Sequence, residues 1–223
     1  PVPGYYALIA RAHMHEFGTT PEQLAAVAVS TRKHAARNPA AQMRTAISVE
    51  DVLTSRLIAD PLHLLDCSLV SDGGAAIVLT SAERAHDFGQ PPVYLLGVGE
   101  GHGHEHISQA RNLTTSAATD SGRRAYEMAG AGPRDVDLAQ LYDCFTPVVL
   151  IELEDLGFCA KGEGGPFVAA GSIEPGGPLP VNTHGGMLSH CHPGNPGSMF
   201  ALTEAVSQLR GQAGERQLAK AEI

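Results

Sequence analysis

Two short apolar runs constrain this 223-residue chain more than any other feature. Ala75-Ala-Ile-Val-Leu-Thr80 follows Asp72-Gly-Gly, and Val93-Tyr-Leu-Leu-Gly-Val-Gly99 follows the breaker cluster Phe88-Gly-Gln-Pro-Pro92. Neither run alternates polar with apolar residues, so each is expected to be a strand buried on both faces. Helical patterns flank them. Tyr5, Leu8, Ile9, Ala12 and Met14 recur at helical spacing over 5–16. Thr20-Pro-Glu-Gln23 carries an N-cap, a first-turn proline and a capping-box Gln; it opens a helix that runs to about Arg37, where Asn38-Pro39 stops it.

Ser48-Val-Glu-Asp starts a short helix, and 56–70 reads as a loop around Asp60-Pro61. Residues 119–130 suit a helix closed by Gly130, and Pro133–Val136 a helical turn. Asp137–Tyr142 alternates like a strand, 146–156 is helical, and 157–195 is expected to be glycine-rich loop. The last helix is expected over 197–210, with Met199, Phe200, Leu202, Ala205, Val206 and Leu209 on its apolar side. Strand–helix–strand order with glycine turns predicts a layered α/β fold.

Composition narrows the function classes. Hydrophobic residues make up 43% and charged residues 17%, enough for a packed core. A net charge of -9 with pI ≈ 5.6 argues against a nucleic-acid or membrane-surface binder. No apolar run approaches the roughly 18 residues of a membrane span. The first residues lack the layout of a signal peptide. Cys67, Cys144, Cys159 and Cys191 form no CxxC pair and suit reduced thiols, so a cytoplasmic location is expected.

Two segments carry chemistry. Tyr142-Asp143-Cys144-Phe145 sits where a buried strand meets a helix, at the sheet edge where α/β sites form. A phenol, a carboxylate and a thiol there suit proton transfer; the bland alternative is a strand-end tyrosine and an inert buried cysteine. The second is Asn182-Thr-His184-Gly185-Gly186-Met-Leu-Ser-His190-Cys191-His192-Pro193-Gly194. Its glycines allow close backbone approach to a ligand, and main-chain N–H groups with a histidine build an oxyanion hole. Three histidines and a cysteine also fit zinc chemistry, but the run His190-Cys191-His192 matches no common structural zinc spacing, and no metal is expected.

Other motifs carry less. Gly99-Glu-Gly-His102-Gly-His104-Glu105-His106 reads as a solvated loop, and the glycines at 97, 99 and 101 do not open a helix as a dinucleotide site requires. Lys161-Gly-Glu-Gly-Gly165 lacks the order of a P-loop. Lys33, Arg37, Arg123 and Arg124 suit solvated helix faces better than a phosphate site.

In order, HEFGTTPEQLAAVAVSTRKHAARNPAAQ, EDVLTSRLIADPLHLLDCSLVSDGGAAIVLTS, YDCF, DLGFCAKGEGG and VNTHGGMLSHCHPG resemble the sterol-carrier-protein type of thiolase across essentially the whole chain. The resemblance implies a thiolase-like layered α/β fold. Residues 1–90 would be the loop region and last strand of its N-terminal half, and 91–223 the C-terminal half, stopping before its last strand. It makes Tyr142, Asp143, Cys144 and His192 the catalytic group. His184, Gly185, Gly186, His190 and Cys191 become the oxyanion and substrate loop.

Tyr142 stands where the family usually has His, and Cys191 where it has Gly. The tyrosine resembles the thiolase-like retro-aldolases of steroid side-chain degradation, although those also tend to carry Tyr at the position of His192. The implied activity is retro-aldol cleavage of a β-hydroxyacyl-CoA, with Tyr142 as acid/base and His192 at the thioester oxygen. A thiolase (acyltransferase) whose nucleophilic Cys lies outside this segment, and a non-catalytic acyl-CoA carrier, are the alternatives. The family's nucleophile precedes the segment seen here, so a piece of a longer protein is expected. Coenzyme A enters as part of the substrate, with no bound cofactor. A homodimer, or a complex with a small OB-fold acyl-CoA-associated protein, is implied.

Overall fold

The computed structural model describes residues 2–194 and 196–223. Helices α1 (Val2–Phe17), α2 (Pro21–Ala36) and α3 (Val49–Thr54) open the chain. A hairpin of β1 (Leu57–Ala59) and β2 (Leu62–His63) follows, where a loop is expected from the sequence; it turns through a cis Asp60-Pro61 bond and is held to α1 by the Arg11–Asp60 ion pair. Then come α4 (Ala118–Ala129), α5 (Thr146–Asp155), α6 (Gly164–Ala169) and α7 (Gly197–Leu209).

Helix α2 is the hub. Leu24 and Val27 share one core with Leu62 of β2, Val149, Leu150 and Leu153 of α5, Val168 of α6, and Ile173 and Val181 beyond it. Its start follows from local chemistry: Thr20 Oγ1 accepts the Gln23 N–H at 3.3 Å, and Gln23 Oε1 accepts the Thr20 N–H at 3.0 Å. Gly130 closes α4 with φ 64, a left-handed conformation that costs glycine nothing. Where a strand is expected over 137–142, the structure forms a single parallel bridge, Ala139 to Val181.

The two apolar runs depart from expectation. Neither 75–80 nor 93–99 joins a ladder among the described residues, and their side chains lie open: Val78 is 83% exposed, Leu79 82% and Leu95 74%. Apolar sequence sets the demand for burial, but strand burial needs neighbours on both edges and both faces. The glycines of 93–101 meet α4. A Cβ at Gly97, Gly99 or Gly101 would collide with the carbonyl oxygens of Ala125, Ser121 and Ala117. Two residues of extended chain and four of helix advance by nearly the same distance. The alternate glycines therefore seat this segment flush against α4, which accounts for their spacing without a dinucleotide.

Thr20→Ala removes one acceptor of the α2 cap at the centre of the core, and is expected to cost about 1 kcal/mol in denaturant unfolding. An unchanged midpoint would show that packing alone holds the start of α2.

Candidate active site

The strand end 142–145 and the loop 182–194 meet through Asp143. Its carboxylate is 1% exposed and accepts the Met187 N–H at 2.7 Å (Oδ1) and the Leu188 N–H at 3.3 Å (Oδ2). Gly186, at φ 58, lies where any side chain would strike that carboxylate, and Gly185, at φ 105, lies where one would strike Ala35 of α2. From Gly185 the chain makes one π-helical turn over Gly186–His190. Burial pushes Asp143 up to about 6, against the pull of the two N–H bonds. Asp143 thus faces the loop and acts as a clamp, with Gly185 and Gly186 as the positions that admit it.

Strand alternation puts Tyr142 and Cys144 on the other face. The Tyr142 ring meets the His192 ring edge-on, with centroids 6.1 Å apart at 85°. His192 is held from a distant segment: its Nδ1 lies 2.7 Å from Ser68 Oγ, and its N–H donates to Ser71 Oγ at 2.8 Å. The same segment is laced to both halves of the site, because Ser68 N–H donates to the Cys144 carbonyl and Leu69 N–H to the Met187 carbonyl. A Ser68 hydroxyl that donates to Nδ1 leaves the neutral imidazole its proton on Nε2, where it is a donor; the reverse direction leaves Nε2 an acceptor.

The groups around this pair are held uncharged. Burial lowers the His192 pKa, so the ring is neutral at pH 7. Burial, then the neighbouring Cys144 and Asp143, pushes Tyr142 above the ordinary phenol value. Burial pushes the Cys144 thiol up to about 12, which keeps it from being a thiolate nucleophile. Glu152, whose Oε2 accepts the Tyr142 N–H at 2.9 Å, is pushed up to about 8, first by burial and then by the Asp143 and Asp155 charges.

The other expected loop residues lie apart. His184 is buried, and its ring stands edge-on to His190 at 5.2 Å; His190 in turn meets Phe200 at 5.5 Å. Burial, with His190 adding, takes His184 down to about 3. Cys191 is buried between the two histidines of the run. His190 and His192 therefore face different surroundings, and among the described residues no three His, Cys, Asp or Glu side chains gather as a metal site.

Sequence reasoning missed Ser68, Ser71, Glu152 and the half-buried Tyr6, whose ring stacks on Phe145 at 4.4 Å and whose hydroxyl sits against the Cys144 thiol. For Ser68 and Ser71 the signal lay in the DCSLVSDGG block, read there only as a match of letters. Most of the cations weighed for a phosphate are engaged elsewhere, Arg124 at the Glu100 carbonyl among them. Lys161 binds Asp155, Glu154 and the Thr114 carbonyl, Lys33 binds Glu174, and Arg123 binds Glu127.

Residues 99–223 match the family described as Thiolase C-terminal domain-like. An acetyl-CoA acetyltransferase of Methanothermobacter thermautotrophicus is 42% identical over 222 residues, 99% of this chain and 58% of its own length. A steroid side-chain-cleaving aldolase of Thermomonospora curvata is 45% identical over 213 residues, 93% of this chain and 54% of its own. The solved Ltp2-ChsH2(DUF35) aldolase superposes with a TM-score of 0.90 at 43% identity, covering 95% of this chain and 56% of that one. The chain thus spans a little over half the length of these relatives.

Ser68→Ala is expected to leave His192 in a mixture of tautomers where the native protein holds Nε2–H; the ring 15N shifts report this, and an unmixed tautomer in the variant would remove Ser68 from the role. Glu152 keeps its proton to about pH 8 when folded but only to about 4.3 unfolded. Its contribution to stability is therefore lost as pH rises through that interval. Glu152→Gln lacks the loss, so its melting temperature relative to native should climb from about pH 4 to about pH 9. A constant difference would mean that Glu152 is ionised throughout.

Proposed function

Because the chain belongs to the thiolase superfamily, in its sterol-carrier-protein branch, we propose that it acts in retro-aldol cleavage of a β-hydroxyacyl-CoA. The observation that carries the reading is the pair Tyr142–His192, a phenol and a neutral imidazole whose rings meet edge-on with centroids 6.1 Å apart. Tyr142, as phenolate, takes the proton of the substrate β-hydroxyl. The O–H electron pair becomes the new C=O bond, and the Cα–Cβ bond breaks. Its pair enters the thioester as an enolate, whose oxygen accepts the Nε2–H of His192. A proton returned to the α-carbon completes the shorter acyl-CoA. Nothing is oxidised or reduced, so coenzyme A, carried by the substrate, is the sole cofactor moiety.

A steroid side-chain-like acyl group fits the named aldolase relative, and a DUF35-type partner fits the solved neighbour. We also take the protein to be a cytoplasmic homodimer; no helix among the described residues is long and apolar enough to cross a membrane. A second reading, thiolysis, is favoured by the 42% identity to an acetyl-CoA acetyltransferase. It needs a cysteine nucleophile outside these residues, because Cys144 stays protonated. Trapping of an acyl group on a thiol would select it, and coenzyme A binding without turnover would select a carrier.

The raised Tyr142 pKa sets the pH dependence. A base must be deprotonated to act, and the phenolate fraction grows with pH throughout the neutral range. The kcat/KM for cleavage of a β-hydroxyacyl-CoA by the full-length protein should rise about tenfold per unit from about pH 6 to about pH 7.5, below the range in which Glu152 gives up its proton. Tyr142→Phe should lose about 10²- to 10⁴-fold together with that limb. Undiminished turnover in the variant would refute the role.

A further inference from the structure

Behind Tyr142 a cleft of about 840 Å³ opens between α1, α5 and the loop 101–117, within the size range that holds drug-sized ligands. Its walls are set by three anchors. Tyr5 of α1 meets His106 of the loop edge-on at 5.6 Å, and Thr114 Oγ1 donates to Glu16 of α1 at 2.9 Å. Lys161 holds the Thr114 carbonyl at 2.8 Å. Ile9, Val148 and Ile151 line it with apolar surface. At its inner end stand Tyr6 and Glu152, and both also touch the catalytic strand: Tyr6 against Cys144 and Phe145, Glu152 under the Tyr142 N–H. His192 is held from the opposite direction, by Ser68 and Ser71.

We propose that this cleft seats the carbonyl fragment released from the β-carbon, and that Tyr6 and Glu152 recognise the oxygen of that uncharged fragment as hydrogen-bond donors. The inference rests on the retro-aldol reading and adds a place and two recognition residues to it. Cleavage yields two fragments. The thioester stays with His192, so the fragment that carries the β-oxygen lies on the Tyr142 side, and Glu152, which accepts the Tyr142 N–H, lines the cleft. Tyr6 and Glu152 present a phenol and a carboxyl that keeps its proton at pH 7, while the loop opposite carries Arg111 and His106. Such a pair offers donors to a neutral carbonyl. The apolar walls take the hydrocarbon that flanks the carbonyl.

Two measurements on the full-length protein test this. The first is binding of 1-indanone against indane, its oxygen-free counterpart, by calorimetric titration. The ketone should bind saturably and more tightly than the hydrocarbon. Glu152→Leu should weaken the ketone about tenfold, with little change for indane, and Glu152→Gln, which keeps a donor, should restore most of the preference. No saturable ketone binding, or an equal effect of Glu152→Leu on both ligands, overturns the site. The second is the ratio of kcat/KM for a β-hydroxyacyl-CoA bearing a ring on the β-carbon to that for 3-hydroxy-3-methylbutyryl-CoA. Ile9→Trp fills the cleft and should lower this ratio at least tenfold; a ratio within twofold of native overturns the assignment while the retro-aldol reading stands. Ketone binding lost in Glu152→Leu without any cleavage activity in the native protein would retain the cleft and sink the retro-aldol reading.

Discussion

The carboxylate of Asp143 is the interaction on which the site depends. It is buried, and it accepts two main-chain N–H groups from a loop 44 and 45 residues further along the chain. A buried carboxylate is costly unless its hydrogen bonds are met, so the strand end and the loop come as a matched pair. Gly186 must be glycine because the carboxylate occupies the space of its side chain, and Gly185 because α2 does. Once the clamp is closed, strand alternation turns Tyr142 outward while the loop continues to His192. The two rings face each other because Asp143 faces the other way.

A second layer keeps that pair uncharged. Cys144, Glu152 and Tyr6 all retain their protons at neutral pH, for one shared reason: each is desolvated, with acidic neighbours and no nearby cation to favour the ionised form. The cations that could have changed this are tied down elsewhere, Lys161 at Asp155 and Arg216 at Glu204. A region of neutral donors suits a reaction in which negative charge develops transiently on oxygen and is then quenched.

The exposed runs 75–80 and 93–99 show the limit of pattern as a guide. Their composition predicts strands buried on both faces, yet Val78, Leu79 and Leu95 lie exposed, while the glycine face of 97–101 packs against α4. Those exposed side chains have no covering element among the described residues, in a chain that spans 54–58% of the length of its relatives.

Local structure was legible in the sequence where its cause is local. The Thr20 cap and the left-handed Gly130 stop act within three or four residues, and α2 and α4 run close to where those signals place them. Tyr142–Phe145 and His184–Pro193 stood out in the sequence because they concentrate reactive side chains, and the structure brings them together through Asp143. What the sequence could not reveal was direction. Asp143 reads as catalytic but points into the loop, while His184 and His190 pair with each other and with Phe200 away from Tyr142. The support for His192 comes from Ser68, 124 positions earlier, and the proton on Glu152 is set by its burial beneath Tyr142. A cap acts across neighbouring residues and leaves its mark in the order of the chain. A side chain's orientation and its charge depend on which distant groups surround it, and only the folded chain brings those groups together.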